Sequence, residues 1–361
     1  MNAQKVKTAF NQRRGFMKLK FTALIAAIAW AALTLSSPVQ AAGKLSIYNW
    51  FDYMPQELLD KFSNEYGVEI TMDTYDSNET LLARLKAGVT GYDLGVPSDY
   101  MVAILIKEGM LEKISANQLS NFGNMTAKWI DVYFDPGREY TVPYQWGTTG
   151  FMVDTAVYNG DIDTLAILFD PPDVLKGKIN MLKDVGEVIN AGLRYLGFPR
   201  CNSDPEQMKQ LNTLLQNAKQ HWLSFNSDGA KEVLVSGDAA AGQNWNGFGM
   251  RARMERPTLK YAYPKEGLTA WMDNFVVFKG APNVENAKKF MNFMLIPENA
   301  ATLTNFARYT AGVDGTEPFL DADLKSAPEV NPPSDVLMEF VPPCEDKVIR
   351  MYDRIWTNLL K

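Results

Sequence analysis

The chain has 361 residues, of which 36 are basic and 42 acidic, with 46% hydrophobic and 12% aromatic side chains. This composition excludes an intrinsically disordered protein, and the excess of acidic residues argues against nucleic acid as a partner, because phosphates need a basic surface. The length allows two α/β lobes, since a single core stops growing beyond roughly 250–300 residues.

The first 41 residues have the pattern of an export signal and are kept apart from the fold. Basic residues precede an uncharged apolar run over residues 21–35, which is shorter than a membrane-spanning helix of about twenty residues. Small residues follow, and Ala41 ends a plausible cleavage site. Two export routes stay open, because a twin-arginine-like motif begins at Arg13, whereas a start at Met17 would leave an ordinary secretory signal. On either route we expect a periplasmic protein.

Strands and helices alternate along the mature chain, which predicts an α/β fold with mostly parallel sheets. The first strand is expected over residues 45–48, and a turn with Trp50, Asp52 and Tyr53 follows it. In open α/β sheets, ligands bind at the carboxyl ends of strands. Two aromatic faces and a carboxylate at such a place suit an organic cation. The next predicted elements are helix 55–66, strand 68–75, helix 78–87, strand 92–96 and helix 101–108.

The second half of the chain predicts a second lobe. An extended segment over residues 141–154 carries glycines at an expected crossing point, and a strand over residues 273–278 returns the chain to the first lobe. Two lobes joined by more than one crossing segment predict a hinge with a ligand cleft. Helices are expected over residues 284–294 and 346–359. The predicted lobes are residues 43–149 with 274–325, and residues 150–273 with 326–361.

The chain has few side chains suited to metal binding or covalent catalysis. Cys201 and Cys344 are compatible with one disulfide in an oxidising compartment, but they lie far apart in the sequence, so pairing stays open. The single histidine, His221, lies in a helical-looking stretch, where a surface or half-buried position is expected. Because a structural zinc site usually takes four ligands of these types, we expect no metal site and no cofactor.

Five short segments carry a family pattern. They are residues 47–53 (IYNWFDY), 75–79 (YDSNE), 91–98 (GYDLGVPS), 143–150 (PYQWGTTG) and 263–267 (YPKEG), the last followed by Asp273. Together and in this order they resemble the spermidine/putrescine-binding proteins of bacterial ABC importers. The resemblance implies a type II periplasmic binding protein fold, in which two lobes close around a small amine and deliver it to an inner-membrane permease. We expect such a protein to be a monomer.

The resemblance assigns a first group of ligand-binding residues to strand ends. Trp50 and Tyr53 match aromatic contacts of the family, and Asp52 lies between them. Ser98 matches a polar contact, although a serine at this place is also a good helix cap. Asp273 matches a carboxylate on the returning strand. An unpaired charge there, among aromatic neighbours, costs on the order of several kcal/mol, and a cationic ligand would supply its partner.

A second group of assigned residues lies on the predicted second lobe. Asp184 and Glu187 resemble a carboxylate pair that faces the amine, but their spacing also fits a capping box with Asp184 as N-cap. Trp245 matches an indole wall of the family site. Core packing is the alternative role for Trp245, as it is for Trp50, because large aromatic side chains are usually buried.

The segment after Trp245 departs from the family pattern. The family commonly has a second carboxylate a few residues on, where Phe248 stands here. Its loss should weaken a diamine by about 1–3 kcal/mol. Arg251 or Arg253 could instead bind a carboxylate, unless both lie on a helix surface. A polyamine and a GABA-like ω-amino acid are therefore both candidate ligands.

An exported carbohydrate-active enzyme is the main enzymatic alternative, since such enzymes also use paired carboxylates and tryptophans. The sequence does not define an acid–nucleophile pair at a fixed separation, which that chemistry requires. It also has no dinucleotide or phosphate-binding loop and no Gly-x-Ser-x-Gly nucleophile elbow. We therefore predict a binding protein and not an enzyme.

Overall fold

The computed structural model describes residues 43–88 and 91–361. The predicted export signal over residues 1–41 lies outside the described residues. The part of the chain that is described contains no helix with the length and apolar character that a membrane span requires.

Three strand–helix units begin the described chain, as the sequence predicts. In chain order they are β1 (Gly43–Trp50), α1 (Gln56–Tyr66), β2 (Val68–Tyr75), α2 (Asn78–Lys86), β3 (Leu94–Gly95) and α3 (Asp99–Lys107). Strand β1 pairs in parallel with both β2 and β3. The carboxyl ends of these strands therefore meet at one edge, together with the turn that follows Trp50.

Helix α1 illustrates how the local sequence sets these units. Its buried side chains, Leu58, Leu59 and Phe62, recur at helical spacing and form one apolar face. The helix ends at Gly67, whose φ of 64° lies in the left-handed region that glycine adopts without strain. The chain can therefore reverse directly into β2, which starts at the next residue.

The remaining elements complete a two-part α/β structure. They are β4 (Asp131–Val132), β5 (Asp135–Pro136), β6 (Thr141–Asp154), α4 (Ala166–Phe169), β7 (Ile179–Met181), α5 (Val185–Tyr195), α6 (Pro205–Lys219), β8 (Trp222–Phe225), α7 (Glu232–Ser236), β9 (Ala241–Trp245), α8 (Asn246–Glu255), β10 (Leu259–Ala262), β11 (Leu268–Val277), α9 (Val284–Met294), α10 (Pro297–Ala307), β12 (Thr310–Ala311), β13 (Met338–Phe340) and α11 (Asp346–Leu359). The predicted crossing strand, returning strand and last helix are confirmed, although the returning strand β11 begins earlier than expected.

Eleven strands of the described chain form one continuous sheet in the order β2-β1-β3-β11-β6-β9-β7-β8, with β10, β12 and β13 at its sides. Both ends of this path are parallel, as predicted. The centre is not, because β11 runs antiparallel to β3 and β6, and β6 runs antiparallel to β9. The expectation of mostly parallel pairing is wrong there, since a chain that crosses and returns must run in both directions.

Buried apolar side chains form two large clusters, one toward each end of β6. The first cluster contains Val142 and Tyr144 of that strand, and the second contains Phe151 and Val153. Helices α1, α9 and α10 pack into the first cluster, whereas α5, α6 and α11 pack into the second. The division agrees in outline with two lobes, and the exact lobe boundaries stay a prediction.

Cys201 and Cys344 form a disulfide, which resolves the question that the sequence left open. Cys201 follows α5, and Cys344 lies just before α11, so the bond ties the last helix to the second cluster. The cysteines are 143 residues apart in the sequence. A cross-link over such a long loop removes much conformational freedom from the unfolded chain.

Replacing both cysteines with serine should lower the free energy of unfolding by about 2–5 kcal/mol, because the unfolded chain regains this freedom. Urea unfolding of the double variant and of the wild type measures the change. Wild-type protein treated with a reductant is the matched control and should show a similar shift. Equal midpoints for oxidised wild type and double variant would contradict the prediction.

Candidate functional site

A cavity of about 790 Å³ is lined by residues from elements of both clusters. Its volume falls in the usual range for sites that hold small molecules. Eight of the ten predicted site residues line it, namely Trp50, Tyr53, Ser98, Asp184, Glu187, Trp245, Phe248 and Asp273. The fold therefore brings most of the predicted site residues into one cavity, although they come from segments that are far apart in the chain.

Asp52 and Arg251 are not among the lining residues. They form an ion pair with each other, with 2.6 Å between Arg251 Nη2 and Asp52 Oδ2. The Arg251 guanidinium also lies over the rings of Phe248 and Phe306, at 5.6 and 5.4 Å from their centroids. Each of these two residues thus has an oppositely charged partner in the protein, and a direct contact of either with the ligand stays a prediction.

Arg253, the other arginine considered for a ligand carboxylate, is also engaged. Its guanidinium donates two hydrogen bonds to the carboxylate of Glu329, whose side chain is fully buried. Phe248 itself lines the cavity and meets the indole of Trp245 edge to face, at 5.7 Å between ring centroids. Apolar and aromatic surface thus replaces the carboxylate that the family pattern suggested at this place.

Asp273 lies on β11 and is only 5% exposed. Ser98 Oγ donates a hydrogen bond to its Oδ1 at 2.7 Å, so this serine stands at the N-cap position of α3 but uses its side chain to hold the carboxylate. Burial raises the pKa of Asp273 to about 7, and the hydrogen bond from Ser98 offsets part of this rise. The nearby Tyr53 hydroxyl also lowers the pKa of Asp273, although the two groups do not meet the geometric criteria of a hydrogen bond.

Two tryptophans form walls of the cavity. Trp50 is partly buried, and its indole Nε1 donates a hydrogen bond to the carbonyl of Val96 at 2.8 Å. Its ring packs against Tyr75 at 4.6 Å between centroids. Trp245 is partly buried as well. Both side chains therefore pack against the core and also line the cavity, and their role as ligand contacts stays a prediction.

The start of α5 contributes the second set of carboxylates. Asp184 is the N-cap and accepts a hydrogen bond from the backbone N–H of Glu187 at 2.9 Å, which confirms the capping alternative. It also lines the cavity. Glu187 accepts a hydrogen bond from Thr149 Oγ1 at 2.7 Å, and burial, followed by the charge of Asp184, raises its pKa to about 8. The pKa of Asp184 is also raised by burial.

Sequence reasoning missed several residues of the cavity. Trp271 lies two residues before Asp273 on β11, so the two-residue period of a strand was a signal for it. Tyr309 packs on Trp271 at 5.2 Å between ring centroids, and no local pattern points to it. Further lining side chains include Glu79, Asp99, Tyr100, Asn190 and Arg200.

The cavity is strongly acidic. Eleven lining residues carry carboxyl groups, against four that are basic. None of Asp273, Glu187, Glu79, Asp184 and Asp99 takes part in an ion pair within the described chain. Buried acids elsewhere, such as Asp154 and Glu329, do pair with arginines. These five carboxyl groups of the cavity therefore have no ion-pair partner in the described chain.

Comparisons with known proteins agree with this geometry. A family model described as bacterial extracellular solute-binding protein matches residues 57–332. The chain is 35% identical to the spermidine/putrescine-binding periplasmic protein of Escherichia coli, over 79% of this chain and 80% of that protein. It is 31% identical to a putrescine-binding periplasmic protein of Pseudomonas aeruginosa, over 91% of this chain and 96% of that protein.

A solved structure supports the fold. It is that of a putative spermidine/putrescine ABC transporter from Listeria monocytogenes, which has a TM-score of 0.83 and 28% identity and covers 88% of this chain and 98% of its own. This chain therefore belongs to the bacterial extracellular solute-binding protein family and has the periplasmic binding protein fold.

Proposed function

We propose that this protein is the periplasmic substrate-binding component of an ABC importer and that it captures a polyamine, putrescine or spermidine. The single observation that carries this proposal is the set of carboxylates in the cavity that have no basic partner. The relatives described above bear spermidine/putrescine names, which supports the same ligand class.

The carboxylates fall into two groups, which suits a ligand with separated ammonium groups. Asp273 is influenced mainly by its own burial and, among charges, by Asp99. Glu187 and Glu79 are instead both influenced by the charge of Asp184. One dication can neutralise both groups at once, whereas a single ammonium leaves one group without a partner. Indole rings that line the cavity offer apolar and π surface to a methylene chain.

The ω-amino-acid alternative is less well supported than a polyamine. It was based on Arg251 or Arg253 as the partner of the ligand's carboxylate, and both are held by protein carboxylates. The carboxylate of a GABA-like ligand would also meet the acidic lining of the cavity. Like charges at short range disfavour such a complex. A polyamine is therefore the better fit.

Capture needs no covalent chemistry. Residues from both clusters line the cavity, so a bound ligand contacts both parts and favours the conformation in which they lie close together. We propose that the predicted lobes, residues 43–149 with 274–325 and residues 150–273 with 326–361, are the moving parts. The closed form then delivers the amine to an inner-membrane permease. We expect the protein to act as a monomer.

Isothermal titration calorimetry should detect binding of putrescine and spermidine, with GABA at least roughly tenfold weaker because its carboxylate is repelled.

Asp273→Asn should weaken putrescine binding by about 2–5 kcal/mol, since it removes a buried anionic partner. Asp60→Asn, on the exposed side of α1, is the matched control and should bind like wild type. Binding of a sugar but of no amine would refute the proposal.

Putrescine affinity should rise from pH 6 to pH 8.5. In the free protein the pKa of Asp273 is about 7 and that of Glu187 about 8, so binding a cation requires these groups to lose protons. Below these pKa values, affinity should change by roughly tenfold per pH unit for each group that must ionise. Calorimetry in buffers of different ionisation enthalpy should show proton release, and proton uptake would contradict the prediction.

Asp273→Asn should also stabilise the ligand-free protein at pH 8. Because the folded-state pKa of Asp273 is raised, folding becomes less favourable as pH rises from the unfolded-state pKa toward about 7, and the full cost is present above that value. The variant avoids this cost, so its advantage in melting temperature should shrink as pH falls from 7 to 4. Asp60→Asn should show no such pH-dependent difference, and a less stable Asp273→Asn at pH 8 would contradict the prediction.

A further inference from the structure

Glu79 lines the cavity, but its place in the sequence did not single it out as a site residue. It stands in the first turn of α2, and Tyr100 donates a hydrogen bond from its hydroxyl to Glu79 Oε1 at 3.0 Å. Leu81 of the same helix belongs to the first cluster. Glu79 therefore faces the cavity from the first cluster's side.

The carboxylates that act on Glu79 come from the second cluster's side. Asp184 caps α5, and Asp353 lies on α11, and both helices pack into that cluster. Burial, followed by the charge of Asp184, raises the pKa of Glu79 to about 7. The described chain places no lysine or arginine within ion-pair distance of Glu79 or Asp184. Approach of the two clusters at this end thus brings like charges together.

Asn190 provides an independent indication of a ligand in this part of the molecule. It lies one turn beyond Glu187 on α5, lines the cavity and is only 7% exposed. Its side-chain Oδ1 has no hydrogen-bond partner among the described residues. A buried acceptor without a donor is unfavourable. A primary ammonium brings three N–H donors and a positive charge, so it can serve both this amide oxygen and the nearby carboxylates.

We propose that Glu79, Asp184 and Asn190 form a terminal-ammonium subsite, and that Glu79 determines specificity for ligands with two separated ammonium groups. The inference rests on the proposed function, because it presupposes an amine ligand. An ammonium between Glu79 and Asp184 replaces repulsion between the clusters with attraction to both. A monoamine held at Asp273 leaves that repulsion in place, so it binds weakly and does not promote closure.

The test compares putrescine with butylamine, which has the same four-carbon chain and one ammonium, by calorimetry. Glu79→Gln should weaken putrescine roughly 10–100-fold and leave butylamine unchanged or tighter, because it removes the anionic partner together with the repulsion. Glu206→Gln is the matched control, since Glu206 also stands in the first turn of a helix but is exposed and away from the cavity. It should keep both affinities within about twofold of wild type.

Closure gives a second measurement. Small-angle X-ray scattering should show that putrescine reduces the radius of gyration of the wild type, whereas butylamine does not. In Glu79→Gln, butylamine should also reduce the radius of gyration. Tyr100→Phe, which keeps the Glu79 carboxylate but removes its hydrogen bond, should weaken putrescine more than butylamine. This variant keeps the proposal testable if Glu79→Gln does not fold.

The outcomes separate this inference from the proposed function. If wild-type protein binds no putrescine, the proposed function fails and the subsite fails with it. If wild type binds putrescine but Glu79→Gln binds it equally well, or loses both amines to the same extent, only the subsite is overturned. A loss of the putrescine preference in Glu79→Gln, with the preference retained in Glu206→Gln, supports it.

Discussion

Four carboxyl groups in the cavity receive hydrogen bonds from neutral hydroxyls where an ion pair would otherwise be expected. The pairs are Asp273 with Ser98, Glu187 with Thr149, Asp99 with Tyr133, and Glu79 with Tyr100. A hydroxyl orients a carboxylate without cancelling its charge, and burial raises the pKa of each of these acids. The protein thus orients a set of buried acids that have no basic partner within ion-pair distance in the described chain. The proposed choice of a cation as ligand rests on this arrangement.

The sheet explains how these acids come together. Strands β6 and β11 run antiparallel through its centre, and β6 contributes to both apolar clusters. Thr149, which donates to Glu187, lies on β6, and Asp273, which accepts from Ser98, lies on β11. The pairing of these two strands therefore positions both residues. The remaining partners come from the amino-terminal turns of α2, α3 and α5, except Tyr133, which lies between β4 and β5. A movement between the clusters would therefore change the distances between the carboxylate groups directly.

The end of the chain also contributes to the site. The disulfide and helix α11 bring Cys344 and Asp353 to the cavity, and Tyr352 packs into the second cluster. The strongly amphipathic pattern of this helix predicts that the helix exists. It does not predict where the helix packs, because an apolar stripe does not specify which surface it covers. Asp353 adds negative charge next to Glu79 without a local sequence signal.

The sequence by itself determined the elements that depend on local patterns: the parallel units at the start, the crossing strand and the last helix. The family resemblance assigned most of the predicted residues that line the cavity, including Asp273. The tertiary structure alone decided the pairings between distant residues. Asp52 pairs with Arg251, 199 positions away, the cysteines join across 143 positions, and Glu79 and Asp184 line the same cavity. Periodicity and capping act within a few residues, so they predict helices, strands and their ends. Electrostatic attraction acts through space. Packing of the whole chain therefore decides which carboxylates pair with an arginine and which have no partner within the protein.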